Sequence, residues 1–548
     1  MKKKHLILLS LLIILILFAN SACSFNEKNV GEENGNFEPN LNGDESEQSP
    51  LYSDPDIVVW AFNPPPGFPE LGEVYVDIWE EPLNKLLKEK DAPYRVNIQP
   101  YYSYYVRETG DIIDQETGEI ADNNETAVDV LEEYKDQGKQ IDVITVPARS
   151  ITVGGKPNIS PYMRTVEKGL LKPLDEYLRS DSLKGINKAV HPRDIERSRV
   201  NDFVYGISSI LRGVSAISYD QSLLKEKSVD VSQLSADIFE NEWLLDEIKS
   251  KEGAIPYLPF SGEISSRLGL WGIGEYPLIV LGENGEWICA LETEAYKQDY
   301  LKILEWKDKG LIRLSIEIEN LEDYLVFANG TASKRLEPYS ESILEDGSEN
   351  QRIIIPDINR TTISSEYGDC QTGIATWTQN QENALDFLNR LFTDSDIANL
   401  IQYGKEGEEY IYDGHAHIQA GNPLRGLGEW YTNPLITYST PEDSPDKRAY
   451  IDEYYEKCEK DIPDGFRYDP RKNADNILKL QSILNPAVPE MTTDKDARDL
   501  VFLKTTDYDK TIESIMEKLR EAGIEEVLDD INRQFKEWGG QKKCGVES

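Results

Sequence analysis

Three apolar runs and two helix-spaced segments alternate between Asp56 and Pro147, and no other feature of the chain restricts its fold as much. "DIVVWAF" (Asp56–Phe62) is β-branched with an aromatic end and reads as a first buried strand. The next stretch, "NPPPGFPELG", carries four prolines, which remove backbone donors and fix φ, so it is irregular. In "DIWEEPLNKLLKEK", Ile78, Trp79, Leu83, Leu86 and Leu87 fall at helical spacing. "YRVNIQPYY" reads as a second strand, "AVDVLEEYKDQGKQ" as a second helix closing at Gly138, and "IDVITVP" as a third strand. Strand, helix, strand, helix, strand in so short a span means an open, largely parallel α/β sheet. Ligands of such sheets sit beyond the carboxyl ends of the strands. Here those ends are Trp60–Asn63 and Val146–Ser150.

Ahead of this sheet lie two segments of different character. Lys2, Lys3 and Lys4 precede an apolar run, Leu6–Ala19, interrupted by Ser10. A helix of that length spans ~21 Å, short of the ~30 Å of a bilayer core. A basic start, a short apolar centre and small residues before a cut form a secretory signal. Residues 1–22 are read as that signal, with Cys23 as the lipid-bearing first residue of the mature chain. Ser21 and Ala22 suit the cut, while Asn20 stands where leucine is usual. Ordinary cleavage after Ser21 or Ala22 would instead give a free secreted protein. Residues 23–55 are acidic, with few large apolar side chains before Leu51, and read as a disordered tether.

The chain carries 58 basic and 100 acidic residues, and the signal removes three lysines and no acid, so the balance moves from −42 to −45. That surface argues against nucleic acid and anionic lipid head groups as partners. Cys289, Cys370, Cys458 and Cys544 are far apart with no C-x-x-C, so zinc-site spacing is absent and mostly free thiols are expected. Roughly 490 remaining residues exceed one comfortable core, so two lobes or more are expected. The acidic stretch "GDIIDQETGEIADNNE" does not fit the EF-hand spacing from Asp111 or Asp114 and reads as a hairpin turning at Thr117–Gly118.

Farther along, "VEKGLLKPLDEYL", then "NDFVYGISS", then "YDQSLLK" follow in close succession. In this order the chain resembles the extracellular solute-binding proteins of bacterial ABC importers, in particular the large carbohydrate-binding group. Gly169–Tyr177, Val204–Ser209 and Tyr219–Lys225 carry the likeness, with Ser208 where proline is common. "YLVFANGTASKRLEPY" (Tyr324–Tyr339) looks like that group's helix, following strand and site aromatic, with Ser333 for the usual methionine. Gly373–Tyr412 looks like its return strand, its "N-P-E-x-A-L-x-F-L" helix and its "Y-G-I-E-G" segment, with Lys405 replacing an apolar residue. The tail also matches. Ile512, Ile515, Met516 and Leu519 form one apolar stripe, and beyond Gly523 a second runs through Ile524, Val527, Leu528, Ile531, Phe535 and Trp538.

The resemblance covers most of Asp56–Trp538. It implies a two-lobed periplasmic-binding-protein-like α/β fold, each lobe a mostly parallel sheet flanked by helices, with an interlobe cleft. Residues 56–210 with 370–420 would form the first lobe. Residues 211–369 with 421–540 would form the second, including the C-terminal helices. It further implies a non-enzyme without cofactor: a monomer on the extracellular face of the cell membrane, held by its lipid, that passes an oligosaccharide to the transmembrane permease subunits of an ABC importer. Peptide or another polar solute remains the alternative guest, and a secreted glycoside-active enzyme the alternative class.

A sugar presents flat C–H faces and a ring of hydroxyls, which aromatic faces and polar groups recognise. Trp60, Asn63, Arg149 and Ser150 follow strands at the ligand edge. Tyr205 and Arg212 flank the first crossing between lobes. Trp271 lies in the Gly-flanked "GLWGIG", Tyr339 stands where the resembling proteins stack a sugar, Trp377 follows the return strand, and Trp430 and Tyr431 lie in a late loop. Each has a bland alternative as core or loop packing.

Competing chemistries lack support. No local pattern marks a glycosidase carboxylate pair. Ser222–Lys225 fits S-x-x-K without the accompanying S-D-N or K-T-G. There is no G-x-S-x-G and no P-loop. His415 and His417, near Asp413, share a face if the segment is a strand, and a surface strand is the preferred reading.

Overall fold

The computed structural model describes residues 54–544 apart from 65–70, 102–104, 107–111, 114–126, 149–150, 154–155, 209, 227, 250–277, 283, 313–327, 346–347, 362–369, 420–421, 459–465 and 485–491. The first lobe is built as the apolar runs dictate. Strand β1 (Ile57–Phe62) pairs in parallel with β2 (Arg95–Pro100) and with β3 (Val143–Pro147). Helices α1 (Leu71–Glu89) and α2 (Ala127–Asp136) make the crossovers between them. Alternate residues of β1 serve opposite cores. Val58, Trp60 and Phe62 face Tyr75, Trp79 and Leu83 of α1, whereas Val59 and Ala61 face Leu131 of α2. Both faces are covered, which is why the strand reads as an unbroken apolar run.

A fourth strand, β8 (Cys370–Ile374), lies antiparallel on β3, with Cys370 opposite Pro147 and Ile374 opposite Val143. Helices α4 (Gln381–Thr393) and α5 (Ser395–Tyr403) follow it and seal the α1 face with Phe387, Leu388, Leu391 and Ile401. On the other side of β8 runs the chain that leaves for the second lobe. Ile207 exchanges both backbone hydrogen bonds with Thr372, at 2.8 and 3.0 Å.

The second lobe departs from the expected mostly parallel sheet. Its main strands, β4 (Val214–Asp220), β5 (Ala328–Ser333), β6 (Tyr339–Glu345) and β7 (Ser348–Thr361), stand in the order β5-β4-β7-β6, and every pairing is antiparallel. The reason is local for β6 and β7. Glu345 pairs with Ser348, and a connection of two residues joins antiparallel strands, never parallel ones. The lobe's core joins Tyr219, Trp287, Trp306 and Ile353 to the C-terminal helices α8 (Tyr508–Glu521) and α9 (Ile524–Cys544). Ile515, Met516 and Leu519 of the first predicted stripe and Ile524, Val527 and Ile531 of the second are buried there. Gly523, at φ +96°, lets the chain reverse between them.

A third cluster is the joint. Leu211 and Val214, at the crossing, pack with Tyr450, Ile451, Tyr454 and Tyr455 of helix α6 (Lys447–Lys457). Residues 422–437, assigned to the second lobe from sequence, pack with the first. Leu424 and Tyr431 enter its core, Thr432 Oγ1 donates to Leu391 O (2.6 Å), and Asn433 Nδ2 donates to Phe392 O (3.0 Å). Cys289, Cys370 and Cys458 form no disulfide among the described residues, in line with the expectation of mostly reduced thiols, and burial pushes the Cys289 thiol up to about 12. Tyr105 and Val106, ahead of the acidic stretch, pair with Ile113 and Ile112 at its start, and the expected turn at Thr117–Gly118 lies outside the described residues. Among the described residues no helix is long and apolar enough to cross a membrane.

Gly373 is where a side chain has no room. A Cβ there would stand 2.2 Å from the carbonyl oxygen of Tyr205, on the strand leaving for the second lobe. Gly373→Ala is expected to lower unfolding stability by ~1–3 kcal/mol or more, the cost of overpacking against backbone. Urea denaturation checks it.

Candidate functional site

Parallel strands deliver their carboxyl ends to one edge, so β1, β2 and β3 place Asn63, Tyr101 and Ala148 together. The edge is held by a closed set of bonds. Asn63 Nδ2 donates to Tyr101 O (3.0 Å), Tyr101 OH donates to Thr145 O (2.9 Å), and Tyr431 OH donates to Asn63 O (3.0 Å). Asn63 is thus at the predicted edge, but buried, with its amide nitrogen engaged. Burial raises the pKa of the Tyr101 and Tyr431 phenols well above the ordinary value, so both act here as neutral donors.

Trp60 is a core residue. It is fully buried, its Nε1 donates to Thr145 Oγ1 (2.8 Å), and its ring stacks on Trp79 with centroids 5.8 Å apart and meets Phe387 edge-on at 5.6 Å. No ring face is left for a guest. Trp377 is at the wrong end of the sheet. Because β8 runs antiparallel, its own carboxyl end points to the amino edge of the parallel strands. There Trp377 Nε1 donates to Lys139 O (2.9 Å), just ahead of β3. Tyr205 is also displaced. It precedes Ile207 on the side of Gly373, and so of the amino edge; Ser208, buried beyond Ile207, runs toward Cys370 and the ligand edge. Ser208 was not among the residues that sequence reading singled out for the edge.

Trp430 and Tyr339 connect to Asn63 through a chain of contacts that runs by way of Tyr431, Glu429, Lys334 and Arg335. Trp430, in the 3₁₀ turn Gly428–Tyr431, packs half-buried on the first lobe's core. Its neighbour Glu429 accepts an ion pair from Lys334 (2.9 Å), which follows β5 in the second lobe. The next residue, Arg335, lies over the Tyr339 ring at 4.7 Å. Its guanidinium also donates to Pro441 O and to Glu442 O. "SKR" after a strand was the available signal for this bridge. Arg149, Ser150 and Trp271 lie outside the described residues, as does Cys23. Arg212 is buried at the joint, where its carbonyl accepts from Tyr450 OH (2.6 Å).

Behind the bridge lies a buried pair. Lys447 Nζ and Asp443 Oδ2 are 3.3 Å apart, with side chains 2% and 4% exposed. The ammonium also donates to Pro434 O (3.2 Å), Thr437 Oγ1 (3.0 Å) and Tyr438 O (2.7 Å). Burial works against the Asp443 charge, but Lys334 and Lys447 outweigh it and hold the carboxyl below its ordinary value. Burial lowers the Lys447 pKa, opposed by Asp443. Burial also opposes the Lys334 charge, and Glu429 and Asp443 overcome it, raising that pKa. No group of three metal-ligating side chains occurs among the described residues. His417 Nε2 and Asp413 Oδ1 lie 2.8 Å apart on an exposed strand pair, as the surface reading expects.

The chain is similar to known proteins in three ways. Residues 464–539 match a family model described as a domain of unknown function, DUF3502. A Streptococcus pneumoniae serotype 4 protein named carbohydrate ABC transporter substrate-binding protein is 23% identical over 444 residues, 75% of this chain and 84% of that one. Among solved structures, the N-glycan transport solute-binding protein NgtS of S. pneumoniae superposes with TM-score 0.58 at 16% identity, over 88% of this chain and 98% of that one. An extracellular solute-binding protein of Bifidobacterium longum subsp. infantis gives 0.51 at 12% identity, over 88% and 98%. The fold is that of the two-lobed solute-binding proteins.

Lys447→Met is expected to cost ~3–5 kcal/mol, because it strands a buried Asp443 charge, while adding Asp443→Asn recovers part of the loss. Since the Asp443 carboxyl is held below 3.8, the contribution is complete above that pH and is lost as pH falls through the lower folded-state value. Denaturant melts at neutral and acid pH measure both effects.

Proposed function

We propose that this protein is the substrate-binding component of an ABC importer, capturing an oligosaccharide between its lobes and handing it unaltered to a membrane permease. The observation that carries the reading is the likeness over 444 residues to a protein of that name. The two-lobed fold supports it. A guest that touches both lobes stabilises one mutual arrangement by the difference in contacts, and a permease can read that arrangement. The neighbourhood of Asn63, Trp430 and Tyr339 is the ligand-contacting region we favour. It joins the carboxyl edge of the first sheet to the second lobe through Glu429–Lys334 and supplies two half-buried aromatic rings. Ser208 extends it along the crossing, and Arg149 and Trp271 complete the proposed set. The strongly acidic balance suits an uncharged guest better than an anionic one.

An oligosaccharide of the right class, at a hundredfold excess over its dissociation constant, is expected to stabilise the chain by ~2.7 kcal/mol, and chromatography should recover it uncut. Shortened sugar, or stabilisation by peptides alone, sinks the reading. The site is tested by Trp430→Ala and Tyr339→Ala, each expected to weaken binding by isothermal calorimetry, while Trp377→Phe, at the opposite edge, leaves it unchanged.

We also place the chain at the membrane surface through lipid on Cys23, with residues 23–55 as leash. A cysteine-borne lipid carrying two or more acyl chains holds a protein at the surface, where one chain alone binds only marginally, and a polar leash leaves it room to meet a permease. Cys23→Ser is expected to move the protein from the membrane fraction into the medium; retention in the membrane fraction contradicts the anchor.

A further inference from the structure

The C-terminal unit meets the first lobe where the turn and helix Arg471–Ile483 pack against the strand Lys156–Asn158, and a row of charged side chains lines that contact. Segment Phe466–Arg471 belongs to the second lobe: Tyr468 is in its core, and Asp469 exchanges hydrogen bonds with Gln534 of α9 at 2.9 and 3.0 Å. From this base Arg467 donates to Ala148 O and Arg197 O, each at 3.2 Å, and lies 5.8 Å above the Tyr162 ring. Arg471 forks onto Glu167 at 2.7 and 2.9 Å, its guanidinium steadied by Asp469 from its own side. Beyond it, Lys156 pairs with Asp475 at 2.7 Å. All four first-lobe partners, Ala148, Lys156, Glu167 and Arg197, come after β3 has left the ligand edge.

The row starts at the joint and runs away from it. The Arg197 guanidinium lies 5.4 Å above the ring of Tyr455, within the joint, while its carbonyl takes the innermost contact. The Arg467 contacts thus stand next to the joint, and the Arg471–Glu167 and Lys156–Asp475 pairs follow at successive turns along the C-terminal segment. The outer pairs are also the wettest: Glu167 and Arg471 are 45% and 43% exposed, Lys156 and Asp475 56% and 70%. They break without leaving a buried charge behind.

We propose that this row is an ionic clasp, which holds the two lobes together before any guest binds and lets go from its outer end as they part. Half-exposed pairs of this kind shift an equilibrium by no more than about fivefold each. The clasp therefore sets the resting population of the joined arrangement without locking it. It is screened by salt, since the Debye length falls from ~8 Å at physiological ionic strength to ~3 Å at 1 M.

Small-angle X-ray scattering of the full chain, without sugar, tests the clasp separately from the identity of the guest. The radius of gyration of the unaltered protein is expected to rise between low and molar salt. Lys156→Glu, which sets like charges against each other, and Arg471→Ser should raise it at low salt. Adding Asp475→Lys to Lys156→Glu should restore the original value, with circular dichroism verifying that every variant is folded. A radius indifferent to salt and to both single substitutions overturns the proposal. So does a Lys156→Glu expansion that Asp475→Lys fails to reverse, because the effect would then not come from the pair.

Discussion

The hydroxyls of Thr145 and Thr372 meet at 2.9 Å across 227 residues of sequence. That contact marks where β8 returns to a sheet that β1, β2 and β3 had left with an open edge. An exposed parallel edge is a row of unpaired backbone groups and invites association. The chain covers it with its own later segment, and the later segment has first to come back from another lobe. The strand that leaves, through Ile207, pairs on the far side of the same β8. Departure and return thus lie side by side on one sheet, and the two-lobed architecture follows from closing that edge.

Side-by-side crossings make the joint narrow, and what fills it decides how the lobes are held. Tyr450 OH lies within donating reach of Arg212 O and Ser333 O, at 2.6 and 3.3 Å, so α6 touches the start of β4, where the chain crosses, and the end of β5 paired beside it. The same helix is bound to the first lobe through Tyr455, whose hydroxyl donates to Asp194 and whose carbonyl accepts from Arg193 (3.0 Å). Apolar contacts alone would leave the angle between lobes soft, because they are not directional. Hydrogen bonds from tyrosine to backbone carbonyls are directional and leave few buried groups unsatisfied. Lys447 contributes in the same way. Its ammonium sits where a cation is wanted, among two carbonyls, a hydroxyl and a carboxylate, so the turn through 434–443 carries its own counter-charge.

What the sequence made legible was periodicity. The strands β1, β2 and β3, the helices α1 and α2 and the two C-terminal stripes all declared themselves by spacing, because burial on one or two faces imposes a period that single residues need not match. Direction was not legible in the second lobe. "QRIIIPDI" reads as a strand whichever way its neighbours run, and only the β6–β7 pairing has its direction fixed by a short connection. Site residues suffered from the same gap. Being at the end of a strand is a statement about an edge, whereas contact with a guest depends on the face. Trp60 points with Val58 and Phe62 into the α1 core by simple alternation. Trp377 was assigned to the ligand edge because it follows a strand, and the reversed direction of that strand carries it away. Asn63 alone among the strand-end residues that the structure describes kept its edge, and it is engaged in holding that edge together.

These placements bear on how such a receptor can be tuned. A guest can only shift the lobes by the difference between its contacts in two arrangements, however tightly it binds in either. Contacts made inside one lobe, such as Asn63 with Tyr101, fix the shape of the half-site without entering that difference. Those spanning the lobes do enter it, and in this chain they differ in exposure, Lys334 and Glu429 at 30% and 24% against 43–70% for the C-terminal pairs. Lys334–Glu429 lies beside the proposed aromatic rings and is supported from behind by the Asp443–Lys447 pair. The Arg471–Glu167 and Lys156–Asp475 pairs stand in water on the C-terminal side. Buried charges resist separation because each partner left alone is penalised, whereas wet ones separate at little cost. Lys334–Glu429, with the buried Asp443–Lys447 pair behind it, is therefore the costlier contact to open, and the wet pairs are where a change of one residue alters the resting balance without touching the proposed aromatic rings.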